Sequence, residues 1–330
     1  MRAATGGEAR WRASVVRPVL PLPWCACRES APRPWSGLRS AFGACDPECG
    51  IVTDITLGAG PDGAVIAHAA GGPVGAASGI EGLAADRQTE RAIRRALHEA
   101  LERYALFAVP PRSRRGRARR FVDGASCAVP EHEIWIGVDG HAGCSDGAAV
   151  DADPARARHR AVLERLERVA VADALAGRTR PARIEGGAHA GMVVLPSPAA
   201  WVVMAYARTD TMPFCALGLG TGAALGPSRR SALNELSLVR AVFGSSAARA
   251  AAGAVPVGSP HDVLFARAAF EADLPAPLAE WLGRVRSVDT ARTIDVDAAL
   301  RDAFPAAWWA DVTPPDLVDL GLSAMRAGLG

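Results

Sequence analysis

The chain has 330 residues, of which 49% are hydrophobic and 22% charged, so it is long enough to bury one large core or two ordinary ones. All 37 of its Lys and Arg residues are arginine, because the sequence contains no lysine. This excludes a Schiff-base lysine, a pyridoxal phosphate anchor, a Walker-type lysine and a kinase-type lysine. A net charge of +2 does not favour a nucleic-acid binder or a polybasic protein of the membrane surface.

No segment predicts export or a membrane span. The longest apolar stretch, residues 192–207, is interrupted by Pro196 and Pro198, so it predicts strands rather than a membrane helix. Prolines and arginines break residues 10–23 repeatedly, which is not typical of a signal peptide. We therefore expect a cytoplasmic protein that has neither nucleic acid nor a membrane as a partner.

The seven cysteines are odd in number and scattered, which favours reduced thiols over a disulfide framework. One cluster has a spacing that could bring four thiolates to a tetrahedral zinc ion, namely Cys25, Cys27, Cys45 and Cys49. The spacing is not that of a familiar zinc ribbon or knuckle. We favour unpaired thiols and keep structural zinc as the alternative.

The N-terminal residues contain many Pro, Arg and Trp residues and no sustained period, which predicts an irregular extension over residues 1–44 and a folded domain over residues 45–330. Residues 51–57 and 63–68 predict two strands joined by a glycine-rich turn. A helix is predicted from about Thr89, because its apolar residues recur at the helical period and form one buried stripe.

Beyond this helix, the arginine-rich run over residues 112–120 predicts a solvated loop, with a binding patch for an acidic peptide or a phosphate as the alternative. The remaining elements are predicted as a strand over residues 134–138, a helix from Pro154, strands over residues 192–195 and 201–207, a glycine-rich loop over residues 217–222, and a helix over residues 227–242. Together they predict an α/β domain built from repeated units of strand, strand and helix.

The first two predicted helices share one pattern. It is Arg95-x-x-x-Glu99-x-x-Glu102-Arg103 in the first and Arg160-x-x-x-Glu164-x-x-Glu167-Arg168 in the second, and the third helix keeps Glu235 and Arg240. Spacings of three and four residues place the four side chains of each copy on one ridge of the helix. Two carboxylates one turn apart suit Mg²⁺ held together with phosphates, and a neighbouring arginine can bind phosphate bidentately.

An alternative interpretation is that these side chains form exposed ion pairs of little energetic value, as most such pairs on amphipathic helices do. Each copy, however, follows a loop of glycine or other small residues at a similar distance. That context favours a phosphate-binding site over a purely structural pattern.

Three segments of the sequence resemble the nucleotide-binding motifs of the YcaO family, namely residues 77–104, 145–168 and 218–240. Residues 50–52 and 311–316 are similar to further landmarks near the two ends of the family domain. The resemblance spans about residues 45–325. The ordered set of three motifs is much more specific than any one of them.

This resemblance implies a YcaO-like domain that uses ATP and Mg²⁺ to activate a backbone amide of a ribosomally made precursor peptide. The implied metal ligands are Glu99, Glu102, Glu164, Glu167 and Glu235, and the implied phosphate or carboxylate contacts are Arg103, Arg168 and Arg240. The commonest reaction in the family is cyclodehydration of Cys, Ser or Thr to an azoline; relatives make thioamides or macrocyclic amidines. A partner protein that binds the leader peptide is expected, and a homodimer is a further option.

The sequence departs from the family pattern at several contact positions. Arg95 replaces a serine, Arg160 and Leu238 replace glutamines, residues 84–86 replace a Gly-Lys-Gly element, and the proline-rich tail of many relatives has no counterpart in residues 327–330. The two arginines either contact phosphates or pair with Glu99 and Glu164 and fill the nucleotide site. The second outcome would make the chain a YcaO-like scaffold or peptide-binding subunit without ATP turnover.

Overall fold

The computed structural model describes residues 43–45, 50–74, 79–108, 117–138, 145–187, 189–209, 212–243 and 276–330. Nearly all of the predicted N-terminal extension lies outside these residues, so the domain boundary at residue 45 stays a prediction. Cys25, Cys27 and Cys49 also lie outside them. Burial raises the pKa of the fourth clustered thiol, Cys45, to about 12, and this keeps that thiol protonated.

The first sheet, sheet A, is antiparallel and has the order β1 (Asp54–Ala59), β2 (Val65–Gly71) and β3 (Ile80–Asp86). A 3-10 turn over Pro61–Gly63 joins β1 to β2. Helix α1 (Thr89–Phe107) follows β3 and packs against it. This arrangement confirms the predicted pair of strands and the predicted helix.

The second sheet, sheet B, draws strands from two distant parts of the sequence. Its antiparallel order is β5 (Ser126–Ala128), β4 (Arg117–Arg120), β11 (Trp308–Asp311), β12 (Ser323–Gly328) and β6 (Ala148–Asp151). Helix α3 (Pro154–Leu175) follows β6, and Asp153 caps it by accepting a hydrogen bond from the backbone N–H of Ala155 at 2.9 Å.

The third sheet, sheet C, is antiparallel and has the order β10 (Met212–Gly222), β9 (Trp201–Thr209), β8 (Ala190–Leu195) and β7 (Ala182–Gly186). Helix α4 (Leu225–Phe243) follows β10 and packs against it. The shorter helices are α2 (Glu131–Ile134), α5 (Ala276–Gly283), α6 (Val296–Ala303) and α7 (Pro315–Asp319). None of the described helices has both the length and the apolar character that a bilayer span requires.

The hydrophobic cores show how these layers are stacked. Ala148 and Val150 of β6 share a core with α1 and sheet A, whereas Ala149 between them packs in the core that contains α3. Further along α3, Ala170 and Val171 pack with one face of sheet C, and α4 covers the other face. Because α4 also contacts β3 of sheet A, the three long helices converge on one region between the sheets.

Glycines allow the helices to approach their sheets closely. A Cβ at Gly82 in β3 would lie 2.0 Å from the carbonyl oxygen of Ala96 in α1. Cβ atoms at Gly218 and Gly220 in β10 would lie 2.1 and 2.2 Å from backbone atoms of α4. Any larger residue would push the helix off the sheet. The glycine-rich segment over residues 217–222 is therefore part of strand β10 rather than the loop that we expected before the third helix.

Two further predictions differ from the structure. Residues 134–138 do not form a strand, because α2 ends at Ile134 and a turn follows, in which the backbone N–H of Trp135 donates to the carbonyl oxygen of Glu131. The repeat of strand, strand and helix is not confirmed, since α3 follows the single strand β6, whose neighbour β12 comes from the C-terminal part of the chain. The structure instead is a mixed α/β fold of antiparallel sheets and helices.

The arginine-rich run lies partly outside the described residues. Its described part, β4, is a strand rather than the predicted loop. Arg117, Arg119 and Arg120 are all exposed, which agrees with the prediction of a solvated surface.

Candidate functional site

Glu99 is the first carboxylate of α1, and both of its oxygens are hydrogen-bonded. Oε2 accepts from the backbone N–H of Leu83 in β3 at 3.0 Å, and Oε1 accepts from Arg103 at 2.8 Å. Arg103 also donates to the carbonyl oxygen of Glu81 at 2.7 Å. Glu99 and Arg103 therefore tie α1 to sheet A.

Glu102, one turn later, points towards sheet B instead. Its Oε1 accepts from the backbone N–H of Val150 in β6 at 3.1 Å and from Arg160 of α3 at 3.4 Å. Its Oε2 has no hydrogen-bond partner among the described residues. Burial raises the pKa of Glu102 to about 7, because the ionised carboxylate is poorly solvated there.

The two carboxylates of α3 are balanced by one half-buried arginine, Arg168. Arg168 donates to Asp146 at 3.0 Å, to Glu167 at 3.2 Å and to Glu164 at 3.5 Å. Burial by itself would lower the pKa of Arg168, but the three carboxylates outweigh it and raise that pKa above its usual value. Arg168 is therefore the counter-ion that makes a cluster of three acidic groups tolerable.

Glu164 and Glu167 differ in how many of their oxygens are engaged. Glu167 has both oxygens bonded, since Oε2 accepts from the hydroxyl of Thr221 in β10 at 2.8 Å. Glu164 has only the long bond from Arg168. Burial, with repulsion from neighbouring carboxylates, raises the pKa of Glu164 to about 8.

Glu235 brings the third helix, α4, into the same cluster. Its Oε2 accepts from the backbone N–H of Leu219 in β10 at 2.8 Å, which leaves Oε1 without a partner among the described residues. Burial, followed by repulsion from Glu167, raises the pKa of Glu235 to about 8. The carboxylates of all three helices are therefore close enough to influence one another.

The five carboxylates thus fall into two classes. Glu99 and Glu167 use both oxygens within the protein, whereas Glu102, Glu164 and Glu235 each keep one oxygen for another partner. Free carboxylate oxygens suit a hard cation such as Mg²⁺. Among the described residues, no group of three or more His, Cys, Asp or Glu is arranged to hold a metal by itself.

Three of these carboxylates, Glu102, Glu164 and Glu167, line a cavity of about 600 Å³, whereas Glu99 and Glu235 are not among its lining residues. Residues of α1, α3, α4, β6 and β10 line it, including Glu102, Glu164, Glu167, Asp151, Thr221, Ser231, His98, Arg94, Arg95, Arg156 and Arg160. The motif pattern did not identify Arg94, His98, Asp151, Arg156, Thr221 or Ser231 as candidates. These residues face the cavity because of the way the helices pack together, and the spacing of residues along the sequence does not predict that packing.

The two arginines that depart from the family pattern both lie at the cavity. Arg95 donates to the carbonyl oxygen of Ala85 at 3.4 Å and lies 3.9 Å from a carboxylate oxygen of Asp86. Arg160 reaches from α3 across to Glu102 of α1. Of the two alternatives, phosphate contact or pairing with Glu99 and Glu164, the second does not take the expected form, because Arg95 lies beside Asp86 and Arg160 pairs with Glu102.

His98 is a further hydrogen-bond partner of the Arg160 guanidinium. Its Nδ1 lies 3.1 Å from Nη1 of Arg160. Burial, together with the positive charge of Arg160, lowers the pKa of His98 to about 3, so the ring is neutral. Because a guanidinium only donates, Nδ1 accepts and the ring proton lies on Nε2, which is buried without a hydrogen-bond partner among the described residues.

Arg240 lies elsewhere. It forms an ion pair of 2.6 Å with Asp62 in the turn between β1 and β2. It does not line the cavity. Of the three arginines that the resemblance implied, Arg103 and Arg168 hold site carboxylates and Arg240 joins α4 to sheet A.

Comparison with solved structures identifies the fold. The chain is similar to YcaO from Methanopyrus kandleri bound with AMPPCP and Mg²⁺, with a TM-score of 0.62 and 15% identity over 84% of this chain and 85% of that one. It is also similar to a heterocyclase in complex with substrate and cofactor, with a TM-score of 0.63 and 13% identity over 88% of this chain. It spans about half of that longer protein, since the match covers 51% of the heterocyclase chain.

A third similar structure is a chain of the E. coli microcin synthetase McbBCD complex, with a TM-score of 0.54 and 10% identity over 83% of this chain and 86% of that one. No known family's sequence profile matches the chain, and no curated protein is significantly similar to it in sequence. The likeness is therefore one of structure.

Proposed function

The described part of the chain has a YcaO-type fold, and from this fold and its cavity we propose that the protein binds ATP with Mg²⁺ and activates a backbone amide of a ribosomally made precursor peptide. One observation carries the proposal: Glu102, Glu164 and Glu235 come from three different helices, and each keeps one carboxylate oxygen free. A solved structure of the same fold contains AMPPCP and Mg²⁺, which supports this choice of ligand.

In the proposed complex, Glu102, Glu164 and Glu235 bind Mg²⁺ directly, with one or two of these carboxylates at each ion. Glu99 and Glu167 use their oxygens within the protein, so they fix the helices rather than bind the metal. Such second-layer contacts are needed because they orient the groups that bind the ion. Arg94 and Arg156 line the cavity and are the candidates for phosphate contacts.

The reaction we propose is cyclodehydration of Cys, Ser or Thr to an azoline. The side-chain thiol or hydroxyl loses its proton and adds to the carbon of the preceding amide, and the amide oxygen receives the γ-phosphoryl group of ATP, which releases ADP. The C–O bond then breaks as phosphate leaves, while the amide nitrogen loses its proton and forms the C=N bond of the azoline. ATP with Mg²⁺ supplies the phosphoryl group. The protein contributes position and charge neutralisation, as is usual in phosphoryl transfer.

The proposed partners are the precursor peptide and a separate protein that binds its leader segment, and the proposed location is the cytoplasm. One similar structure is the McbBCD complex with pro-MccB17 bound, which supports a multi-protein assembly around a peptide. We expect a reading frame for a short Cys-, Ser- or Thr-rich peptide near the gene.

A second candidate function is a YcaO-like scaffold that binds peptide or partner without ATP turnover. The ion pair between Arg160 and Glu102 favours it, because an arginine already occupies one side of a proposed metal ligand. The scaffold function predicts an intact second YcaO protein encoded nearby. It also predicts that nucleotide has no effect on peptide binding.

Isothermal titration calorimetry with ATP and Mg²⁺ tests the proposal. We expect binding by the full chain and loss of binding in the double variant E164Q/E235Q, which removes two free carboxylate oxygens. The control is E185Q/E280Q, which changes two exposed glutamates outside the cavity. Absence of ATP binding by the wild-type chain, with and without peptide and partner, would exclude the enzymatic function.

Turnover separates the two candidate functions. Co-expression with the neighbouring peptide should give a product that has lost one water mass per converted residue, together with peptide-dependent release of phosphate. ATP binding without either result would favour the scaffold.

A further inference from the structure

Arg160 is held in one orientation by three acceptors on two different layers. It donates to the carbonyl oxygen of Val150 at 2.9 Å, to Glu102 at 3.4 Å and to Nδ1 of His98 at 3.1 Å. Asp151 lies 3.9 Å away. The side chain of Arg160 is nevertheless 41% exposed, on the side of the cavity that it lines. A positive charge is thus fixed at the edge of the proposed nucleotide site.

Arg160 pairs with Glu102, which is one of the three carboxylates that have a free oxygen. Oε1 of Glu102 accepts hydrogen bonds from Arg160 and from the backbone N–H of Val150, so only Oε2 is open to a metal. Glu164 and Glu235 have no comparable contact from a cavity-lining arginine among the described residues. Among the described residues, Glu102 is therefore the one of these three carboxylates that is paired with a cavity-lining arginine.

Arg95 supplies a second fixed charge from α1. It is anchored to the carbonyl oxygen of Ala85, and Asp86, Glu235 and Glu99 all lie close enough to influence its pKa.

The cavity is lined by equal numbers of arginines and acidic side chains. The cations are Arg94, Arg95, Arg156 and Arg160, and the carboxylates are Glu102, Asp151, Glu164 and Glu167. An acidic site without such cations would need divalent ions to accept a polyphosphate, because like charges repel strongly where water is excluded.

We propose that Arg160, with Arg95, is a tethered cation that takes the place of one divalent ion on the Oε1 side of Glu102, while Oε2 stays open to Mg²⁺, so that this site binds ATP with a reduced requirement for Mg²⁺. The inference rests on the proposed function, since it concerns the same nucleotide. Arg160 acts through charge and position and is a specificity residue, not a catalytic one. A fixed guanidinium needs no reorganisation when the phosphates arrive.

The experiment compares the wild-type chain with R95S/R160Q, which introduces the neutral residues that the family pattern has at these positions. ATP affinity is measured by calorimetry in excess Mg²⁺ and in EDTA. We expect the wild type to keep measurable affinity in EDTA and the variant to lose about tenfold or more there, while affinity in Mg²⁺ changes much less. The control R286S/R301Q removes two exposed arginines outside the cavity and should behave as the wild type.

A second measurement does not depend on nucleotide. Mn²⁺ binding to the protein alone, followed by electron paramagnetic resonance, should show tighter binding in R95S/R160Q, because Glu102 regains its free charge. Unfolding curves check that the variant is folded. If it is not, R160M keeps the aliphatic stem and is tested in the same way.

The results distinguish this inference from the proposed function. Equal loss of ATP affinity in Mg²⁺ and in EDTA would make the two arginines ordinary phosphate contacts and overturn the inference. Unchanged affinity under both conditions, or unchanged Mn²⁺ binding, would also overturn it. If the wild type binds no nucleotide, the proposed function fails, and tighter Mn²⁺ binding in the variant would still show that Arg160 excludes a divalent ion.

Discussion

The two copies of the helical motif, on α1 and α3, have the same residues at the same spacing and yet use them differently. On α1 the first glutamate, Glu99, has both oxygens bonded and the second, Glu102, has one oxygen free. On α3 the order is reversed, with Glu164 partly free and Glu167 fully bonded. The position of a glutamate within the motif therefore does not determine its role.

The arginines that end the two copies differ as well. Arg103 holds Glu99 and has a side chain 37% exposed, whereas Arg168 holds three carboxylates and is 19% exposed. The cause is the surroundings of each helix. Beside Glu99 runs strand β3, which supplies a backbone N–H, while α3 lies beside Asp146 and Thr221. The two equal sequence patterns therefore make different contacts, because different strands lie beside the two helices.

The largest difference that we expect between the copies is in stability. Arg168→Ala leaves three neighbouring carboxylates without their cation and should lower the free energy of unfolding by about 3–5 kcal/mol, as loss of one partner of a buried ion pair does. Arg103→Ala removes a partly exposed pair and should cost about 1 kcal/mol or less. Urea unfolding measures both values. Similar costs for the two substitutions would contradict the asymmetry.

The next largest effect concerns the two classes of carboxylate. Glu→Gln substitution at position 102, 164 or 235 removes a proposed metal ligand and should weaken Mg²⁺-dependent ATP binding by more than about a hundredfold. The same change at position 99 or 167 disturbs only the supporting contacts and should cost about tenfold to a hundredfold. Calorimetry ranks the five variants. A ranking by position within the motif, rather than by free oxygen, would show that the copies are equivalent after all.

The pH dependence of stability should sharpen the comparison. In the folded chain the pKa values of Glu164 and Glu235 are raised from 4.5 to about 8 and that of Glu102 to about 7. The folded state therefore binds more protons than the unfolded state between about pH 4.5 and 8, so stability falls as pH rises through this window.

Thermal unfolding of the metal-free chain at pH 5 and at pH 8 measures this effect. Gln substitution of Glu102, Glu164 and Glu235 mimics the protonated form and should flatten the profile. Added Mg²⁺ should stabilise the protein more at pH 8 than at pH 5, because metal binding requires the ionised carboxylates. Stability that rises with pH across this window in the metal-free chain would contradict the assignment.

The smallest effect is expected for the third helix. Arg240→Ala breaks an exposed ion pair with Asp62 and should cost less than about 1 kcal/mol of stability. ATP affinity should stay within about twofold of the wild type, since Arg240 does not line the cavity. A larger loss of ATP affinity would show that Arg240 contributes to nucleotide binding.

Much of the local structure could be predicted from the sequence. The helices that begin at Thr89 and Pro154 are confirmed, because an unbroken helical period and a proline in the first turn are strong local signals. The strand over residues 134–138 was predicted wrongly, because a short apolar run does not distinguish a strand from a buried turn. The glycines of residues 217–222 could be read as a loop since a packing requirement and a turn requirement both select glycine.

The sequence by itself determined the ionic character of the site: all of its cations are arginines, and five glutamates recur at helical spacing, because composition and period are properties of the chain alone. Only the tertiary structure decided which glutamates keep a free oxygen and that Arg160 pairs with Glu102 rather than Glu164. The physical reason is that the decisive hydrogen bonds join residues far apart in sequence, such as Val150 to Glu102 and Thr221 to Glu167, and these form only when three helices close around the sheets.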